Sequence, residues 1–137
     1  MRTFDTGATR DIDTSKLDYE GFLSPLVLKR YAEYLNKHRV QADGKLRDSD
    51  NWQKGIPLDV YMKSMWRHFM DVWSAHREST LKGELLEEAL AAVIFNAMGY
   101  LHEIIRHRRE LQDVTDDILD ADWEYDEDEG IFAVERG

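Results

Sequence analysis

LLEEALAAVIFNAMGYLHEIIR, residues Leu85 to Arg106, is the stretch that decides the fold. It is apolar almost all round, too long for a strand and free of proline, a combination that predicts one long buried helix. Its longest apolar run, Ala89 to Phe95 and then Ala97 to Leu101, is broken by Asn96. That falls short of the roughly 18 residues a membrane span needs, so the expectation is a core helix and no membrane contact.

Immediately upstream, Pro57 opens a second helix, because proline suits the first helical position. Leu58, Tyr61, Met62, Met65, Phe69 and Val72 recur at helical spacing and form its predicted core face, with Trp66 and Trp73 beside them. Ser64, Arg67, His68, Asp71 and Ser74 form a separate polar stripe, and ESTLKG joins the two helices. Farther upstream, Ser24-Pro25 marks a first helix with Val27, Tyr31, Tyr34 and Leu35 on one face, ending near His38. Met1 to Leu23 lacks a helical period and is read as an arm. Between Arg39 and Pro57 lies a polar stretch with Asp43-Gly44 and Lys54-Gly55 as turn signals. Its second half, RDSDNWQKGIP at Arg47 to Pro57, is either a functional loop or a surface loop pinned by Trp52.

Beyond Arg109 the helical pattern decays into an acidic segment whose apolar anchors are Ile118, Leu119, Trp123 and Tyr125. IFAV at Ile131 to Val134 reads as a short strand or a docking segment. The expected fold is all-α, a small bundle of three to four helices with an N-terminal arm and an acidic C-terminal tail. Residues 1–110 form the predicted helical domain and 111–137 the acidic segment.

Composition narrows the function. A chain of 137 residues buries enough surface to fold as one domain without covalent staples, and it contains no cysteine, which removes disulfides and thiolate ligands. The opening MRTFDTGATRDID carries charges where a signal peptide needs an apolar run, so a cytoplasmic location is expected. The formal net charge of −10 has a local origin, since Asp113 to Glu129 holds ten acidic side chains and no basic one. The body is therefore neutral, and direct nucleic-acid binding is not expected. There is no GxxxxGK[ST], GxGxxG, CxxC or GxSxG pattern, which leaves P-loop, dinucleotide, zinc-ribbon and serine-hydrolase chemistry unsupported.

The polar residues that interrupt the helices are the candidates for chemistry. His68 and Asp71, three apart on a helix, share a face and can reach one ion, or Asp71 can orient His68 or pair with Arg67 or Arg77. On the long helix, 100° per residue sets Glu88 about 80° from Asn96 and Glu87 opposite it, so Glu88 is the better companion. A buried unpaired amide costs on the order of 1–3 kcal/mol, so Asn96 needs a polar partner, either a neighbouring helix or a ligand. His68, Asp71 and Glu88 together offer imidazole and carboxylate ligands for Mg²⁺ or Mn²⁺, which would offset polyphosphate charge and activate water. Lys16, Lys54 and Arg67 would neutralise further phosphate charge.

NWQKGIPLDVYMKSMWRHFMDVW at Asn51 to Trp73, the helix EEALAAVIFNAMGYLHE, and SKLDYEGFLSPLVLKRYAEY near the start together carry a family likeness. Over roughly Arg10 to Glu103 the chain resembles phage and prophage proteins named for dATP/dGTP diphosphohydrolase N-terminal domains. NWxKGxP and the Arg67-His68 pair are the most specific parts. That family is similar to the all-α nucleotide pyrophosphohydrolases of MazG type, which remove pyrophosphate from nucleoside triphosphates using Mg²⁺ held by carboxylates on two helices. Lys16, Asn51, Trp52, Lys54, Gly55, Arg67, His68 and Asn96 stand at positions matching the family pattern. Ser15 replaces the usual glycine before the lysine, and His68 and Asp71 stand where the MazG pattern has two glutamates.

The resemblance implies a metal-dependent hydrolase that converts a purine deoxynucleoside triphosphate to the monophosphate and pyrophosphate. His68, Asp71 and Glu88 would hold the metal and carry catalysis. Lys16, Asn51, Trp52, Lys54, Arg67 and Asn96 would bind substrate, with Trp52 stacking on the base. If the chain is phage-encoded, its compartment would be the host cytoplasm. Fold analogy adds a homodimer or higher homo-oligomer. The alternatives are a binding protein whose acidic tail imitates nucleic-acid phosphates for a protein partner, and a nucleotide-binding sponge without turnover.

Overall fold

A computed structural model describes all residues except Asp13, Ala121, 127–129 and 135–137, with 122–126 and 130–134 described by backbone alone. The chain is all-α in character, with four α-helices among the described residues, and divides into two compact units, Met1–Lys45 and Leu46–Gly137.

In the first unit a short antiparallel hairpin, β1 (Arg2–Thr3) with β2 (Thr9–Arg10), closes through Gly7 at φ 86°. One turn of helix, α1 (Tyr19–Phe22), is capped by Asp18, whose Oδ1 accepts from the Gly21 amide at 2.9 Å. Then comes α2 (Pro25–Lys37), which starts as its Ser-Pro signal predicts, the Ser24 hydroxyl accepting from the Val27 amide at 3.3 Å. Tyr31 is buried and Tyr34 and Leu35 are half-buried, but Val27 lies at 51% exposure, so only the C-terminal part of the predicted face is covered.

The second unit is dominated by an αα-hairpin. A 3₁₀ turn at Asn51–Lys54 leads to α3 (Leu58–Glu78), with Pro57 as its N-cap. α3 ends at Ser79, left-handed at φ 56°, whose amide donates to the Ala75 carbonyl at 2.9 Å and so closes the last turn. α4 (Glu84–Asp120) returns alongside α3, and β3 (Asp122–Asp126) pairs antiparallel with β4 (Gly130–Val134). IFAV is thus a strand.

Two expectations are corrected here. The long helix does not stop near Arg106 but runs to Asp120. Its acidic extension still has helical spacing at Leu111, Val114 and Ile118. It is further tied by Arg106 to Glu110, by Gln112 to Asp116 at 2.9 Å, and by the Thr115 hydroxyl donating to the Leu111 carbonyl at 2.9 Å. The acidic segment is therefore partly helix and partly hairpin. By length and composition alone, α4 is also apolar enough to cross a membrane.

The second correction concerns α3. Of the core face expected for it, only Tyr61 is buried, while Met62 is 40% and Phe69 45% exposed, and Trp66 and Trp73 lie open beside them. The covered stripe runs through Tyr61, Ser64, Met65, His68, Val72 and Ala75. Ser64 and His68, read as part of a polar outer stripe, thus belong to the face that meets α4. The cause lies in the facing helix: α4 buries Ala89, Ala92, Asn96 and Gly99, a row of small or polar residues that admits close approach and few large side chains.

Among the described residues Tyr61 is the one large side chain fully enclosed, with its ring edge-on to Phe95 at 6.0 Å. It fills the notch at Gly99, where an added Cβ would overlap the ring carbons and lie 2.7 Å from the hydroxyl oxygen. Gly99→Ala is therefore expected to destabilise the chain by about 1–3 kcal/mol, the usual cost of overpacking. Alanine is otherwise the better helix former, so propensity alone would give the opposite sign. Urea unfolding of the variant against wild type measures the outcome.

Candidate functional site

The NWQKGIP loop is built locally and then docked on α4. The Gln53 amide donates to the Asp50 carbonyl at 2.9 Å and starts the 3₁₀ turn. Gly55 then takes φ 113°, a conformation that L side chains rarely adopt, and redirects the chain into Ile56 and Pro57. Space does not explain this glycine, because a Cβ there would sit 3.7 Å from an Arg106 guanidinium nitrogen, an ordinary contact. Trp52 packs edge-on against His102 of α4, with ring centroids 4.7 Å apart. The loop is thus pinned by Trp52.

Between this loop and α4 lies a cleft of about 420 Å³. Ile56, Pro57 and Leu58 form one side, and Glu103, Arg106, His107 and Glu110 line the other. Arg106 joins the two glutamates, at 2.6 Å to Glu103 and 3.5 Å to Glu110. The hydrogen bond from Arg106 to Glu103 and the charge beside it push the guanidinium pKa above its ordinary value. Glu103 Oε2 is satisfied this way, but Oε1 is buried with no hydrogen-bond partner. The Tyr61 hydroxyl is likewise buried and unpartnered. Burial, and secondarily the Glu103 charge, raise the Tyr61 phenol above its ordinary pKa.

An unsatisfied buried polar atom costs on the order of 1–3 kcal/mol. Here a donor and an acceptor carry that cost on facing helices, in a region where Asn96, Gly99 and Glu103 share one stripe of α4. A water or a polar ligand group that reached the phenol and the carboxylate would recover it, and at the cleft wall the Arg106 guanidinium stands between Glu103 and Glu110.

The residues singled out from sequence are distributed more widely. His68 and Glu88 are half-buried, whereas Asp71 and Arg67 are exposed. Asn51 and Trp52 are half-buried and Lys54 is exposed in the docked loop, and Lys16 is exposed in the other unit. Asn96 is 4% exposed, and its Nδ2 donates to the Ala92 carbonyl at 2.8 Å, one turn back on its own helix. One N–H of this buried amide is therefore satisfied within α4 itself. Among the described residues, no three His, Cys, Asp or Glu side chains stand together as a metal-ligand set. His68, Asp71 and Glu88 do not form a preassembled cation site within one chain.

Sequence reasoning missed Tyr61 as a polar group, and with it Glu103, Arg106 and Glu110. A signal was present: Glu103 stands seven residues after Asn96, two helical turns along the same face. Compared with protein-family models, curated proteins and solved structures, the chain matches none.

The raised Tyr61 pKa sets an alkaline limit. The unfolded chain releases this proton near pH 10, about the ordinary tyrosine value, whereas the folded chain holds it to higher pH. The stability linked to Tyr61 is complete below that pH and is lost as pH rises through the folded value. Tyr61→Phe is expected to unfold at no lower urea concentration than wild type at pH 7, because it deletes an unpartnered hydroxyl. It should also lose less stability between pH 8 and pH 11, and paired urea titrations at those pH values read both effects.

Proposed function

We propose that this chain is a nucleotide phosphohydrolase that cleaves the α–β phosphoanhydride of a purine deoxynucleoside triphosphate. Water adds to the α-phosphorus, the bond to the bridging oxygen breaks, and the monophosphate and pyrophosphate leave. One observation carries the reading: the NWQKGIP loop, the most specific part of the family likeness, is docked on the stretch of α4 where Glu103 and Arg106 line a cleft, with the Tyr61 hydroxyl buried within range of the Glu103 charge. Buried polar atoms kept without partners are costly in a merely structural helix pair, and they are expected where a ligand completes them.

Arg106 and His107 at the cleft wall, with Lys54 on the loop, are assigned to phosphate charge in this proposal. Arg67 and Lys16 are kept as further phosphate contacts on the family pattern alone. Trp52 contributes by fixing the loop through His102, and base stacking would need it to leave that contact. The donors present do not make a cation site by themselves, so no step is drawn through a metal. A Mg²⁺ or Mn²⁺ ion would supply charge neutralisation and a more acidic water. Such ions are usually held by one or two carboxylates with phosphate oxygens and water filling the other positions. Asp71, Glu88 and His68 are the donors proposed for it.

The test is incubation of the full chain with each deoxynucleoside triphosphate and Mg²⁺ or Mn²⁺, followed by separation of monophosphate and pyrophosphate. Equal amounts of the two products from dATP or dGTP are expected, with Glu88→Gln lowering turnover by roughly a hundredfold or more. A folded protein that releases no pyrophosphate from any of the four removes the proposal. If the nucleotide raises the melting temperature without product, the chain binds without turnover.

A further inference from the structure

α4 has a second apolar face, centred opposite the stripe that meets α3, and its last member, Ile104, also borders the cleft beside Ile56, Pro57 and Leu58. Leu90, Ile94, Ala97, Leu101 and Ile104 follow one another at spacings of four, three, four and three residues. That is the seam of a coiled coil. At 100° per residue Leu90 lies about 180° around the axis from Gly99, the point where Tyr61 seats. All five residues are exposed, with Leu101 at 57% and Leu90 at 44%. A contiguous apolar stripe of this kind on a monomer marks a contact surface.

We infer that this face pairs with the same face of a second copy of the chain, antiparallel, with the two-fold axis near Ala97. Charge selects this arrangement. The seam is flanked by Glu84 and Glu87 at one end and by Arg108 and Arg109 at the other, whereas Glu88 and Arg106 lie about 160° around the axis from Leu90. Antiparallel pairing about Ala97 brings Leu90 of one copy level with Ile104 of the other, and Glu87 level with His107 and Arg108. Parallel pairing lays each cluster on its own copy, acid on acid and base on base. A longer antiparallel overlap, centred on Ile104 to engage the apolar spacing out to Ile118, sets Glu88 level with Asp120. Like charges so placed are repulsive, and opposite charges fix direction and register. Ala97 at the axis permits close approach of the two helices.

A lipid bilayer is the competing occupant, and length disfavours it. The uncharged stretch from Ala89 to His102 is 14 residues, which spans roughly 21 Å against a hydrocarbon core of about 30 Å. That length instead matches the five-residue seam.

Sedimentation of the full chain in buffer is expected to give twice the 16.1 kDa chain mass. Leu101→Glu, at an already exposed position, should give a monomer with unchanged helical circular dichroism. Glu87→Lys and Arg108→Glu should each weaken the dimer by roughly tenfold, and the double variant E87K/R108E should restore it. Direction is read separately, because the chain has no cysteine of its own. Spin labels on Asp113→Cys, off the seam, should lie about 48 Å apart along the axis in the proposed pairing and about 10 Å apart in a parallel one. A monomer at every concentration, a dimer indifferent to Leu101→Glu, or the short label distance overturns the inference. So does capture by phospholipid vesicles of a chain that is monomeric in buffer. None of these measurements depends on nucleotide turnover.

Discussion

The contact between the Tyr61 ring and Gly99 is the constraint on which the helix hairpin depends. A glycine inside a helix costs roughly 1 kcal/mol relative to alanine. α4 accepts that cost where a side chain of any size would displace the one large residue the hairpin fully encloses. Around this point the buried row of α4 is small, through Ala89, Ala92 and Asn96. The close approach that results leaves no room for Phe69, Trp66 or Trp73 between the helices. They lie at the flank, where Met62, Met65, Trp66 and Phe69 line an apolar groove with Val93.

Polarity is consequently inverted relative to a simple amphipathic pair. Ser64, His68, Asn96, Glu103 and the Tyr61 hydroxyl lie on the covered side, and much of the large apolar surface lies outside. Hydrophobic stabilisation scales with apolar area removed from water, and alanines remove little. The two halves of this inversion support each other: a polar interior suits a ligand, and an apolar exterior suits assembly.

Element positions were legible because they rest on local signals. Ser24-Pro25 and Pro57 act through backbone capping and a fixed φ, and neither depends on what packs nearby. The face of α3 was not legible in the same way. Its sequence offers two stripes at helical spacing, and hydrophobicity favours the one through Met62 and Phe69. The choice is made by the facing residues of α4, which become known only once the two helices are paired. Asn96 shows a related limit: its spacing marked it as anomalous, but a bond to its own Ala92 carbonyl leaves no trace in sequence. The C-terminal part of α4 was obscured because acidic density hid the spacing of Leu111, Val114 and Ile118. Glu103 sat at the edge of an apolar run and read as its end, although its place two turns beyond Asn96 put it in the interior.

The charges of α4 carry information that the hydrophobic pattern lacks. Apolar spacing of four and three persists well past Ile104, so packing alone would allow pairing at several registers and in either direction. The acidic end and the basic end of the seam break that degeneracy, since antiparallel pairing about Ala97 sets each of these two clusters against its opposite while engaging the whole seam. Arg106 belongs to the basic cluster and also holds Glu103 at the cleft. Its guanidinium serves the interior site, since Arg106 lies about 160° around the axis from Leu90. A strong bidentate demand from Glu103 and Glu110 leaves Arg108 and Arg109 as the members of the cluster able to meet a second chain. The interior stripe through Asn96, Gly99 and Glu103 and the exterior seam thus lie roughly 120–180° apart around one helix, which allows each to be altered without dismantling the other.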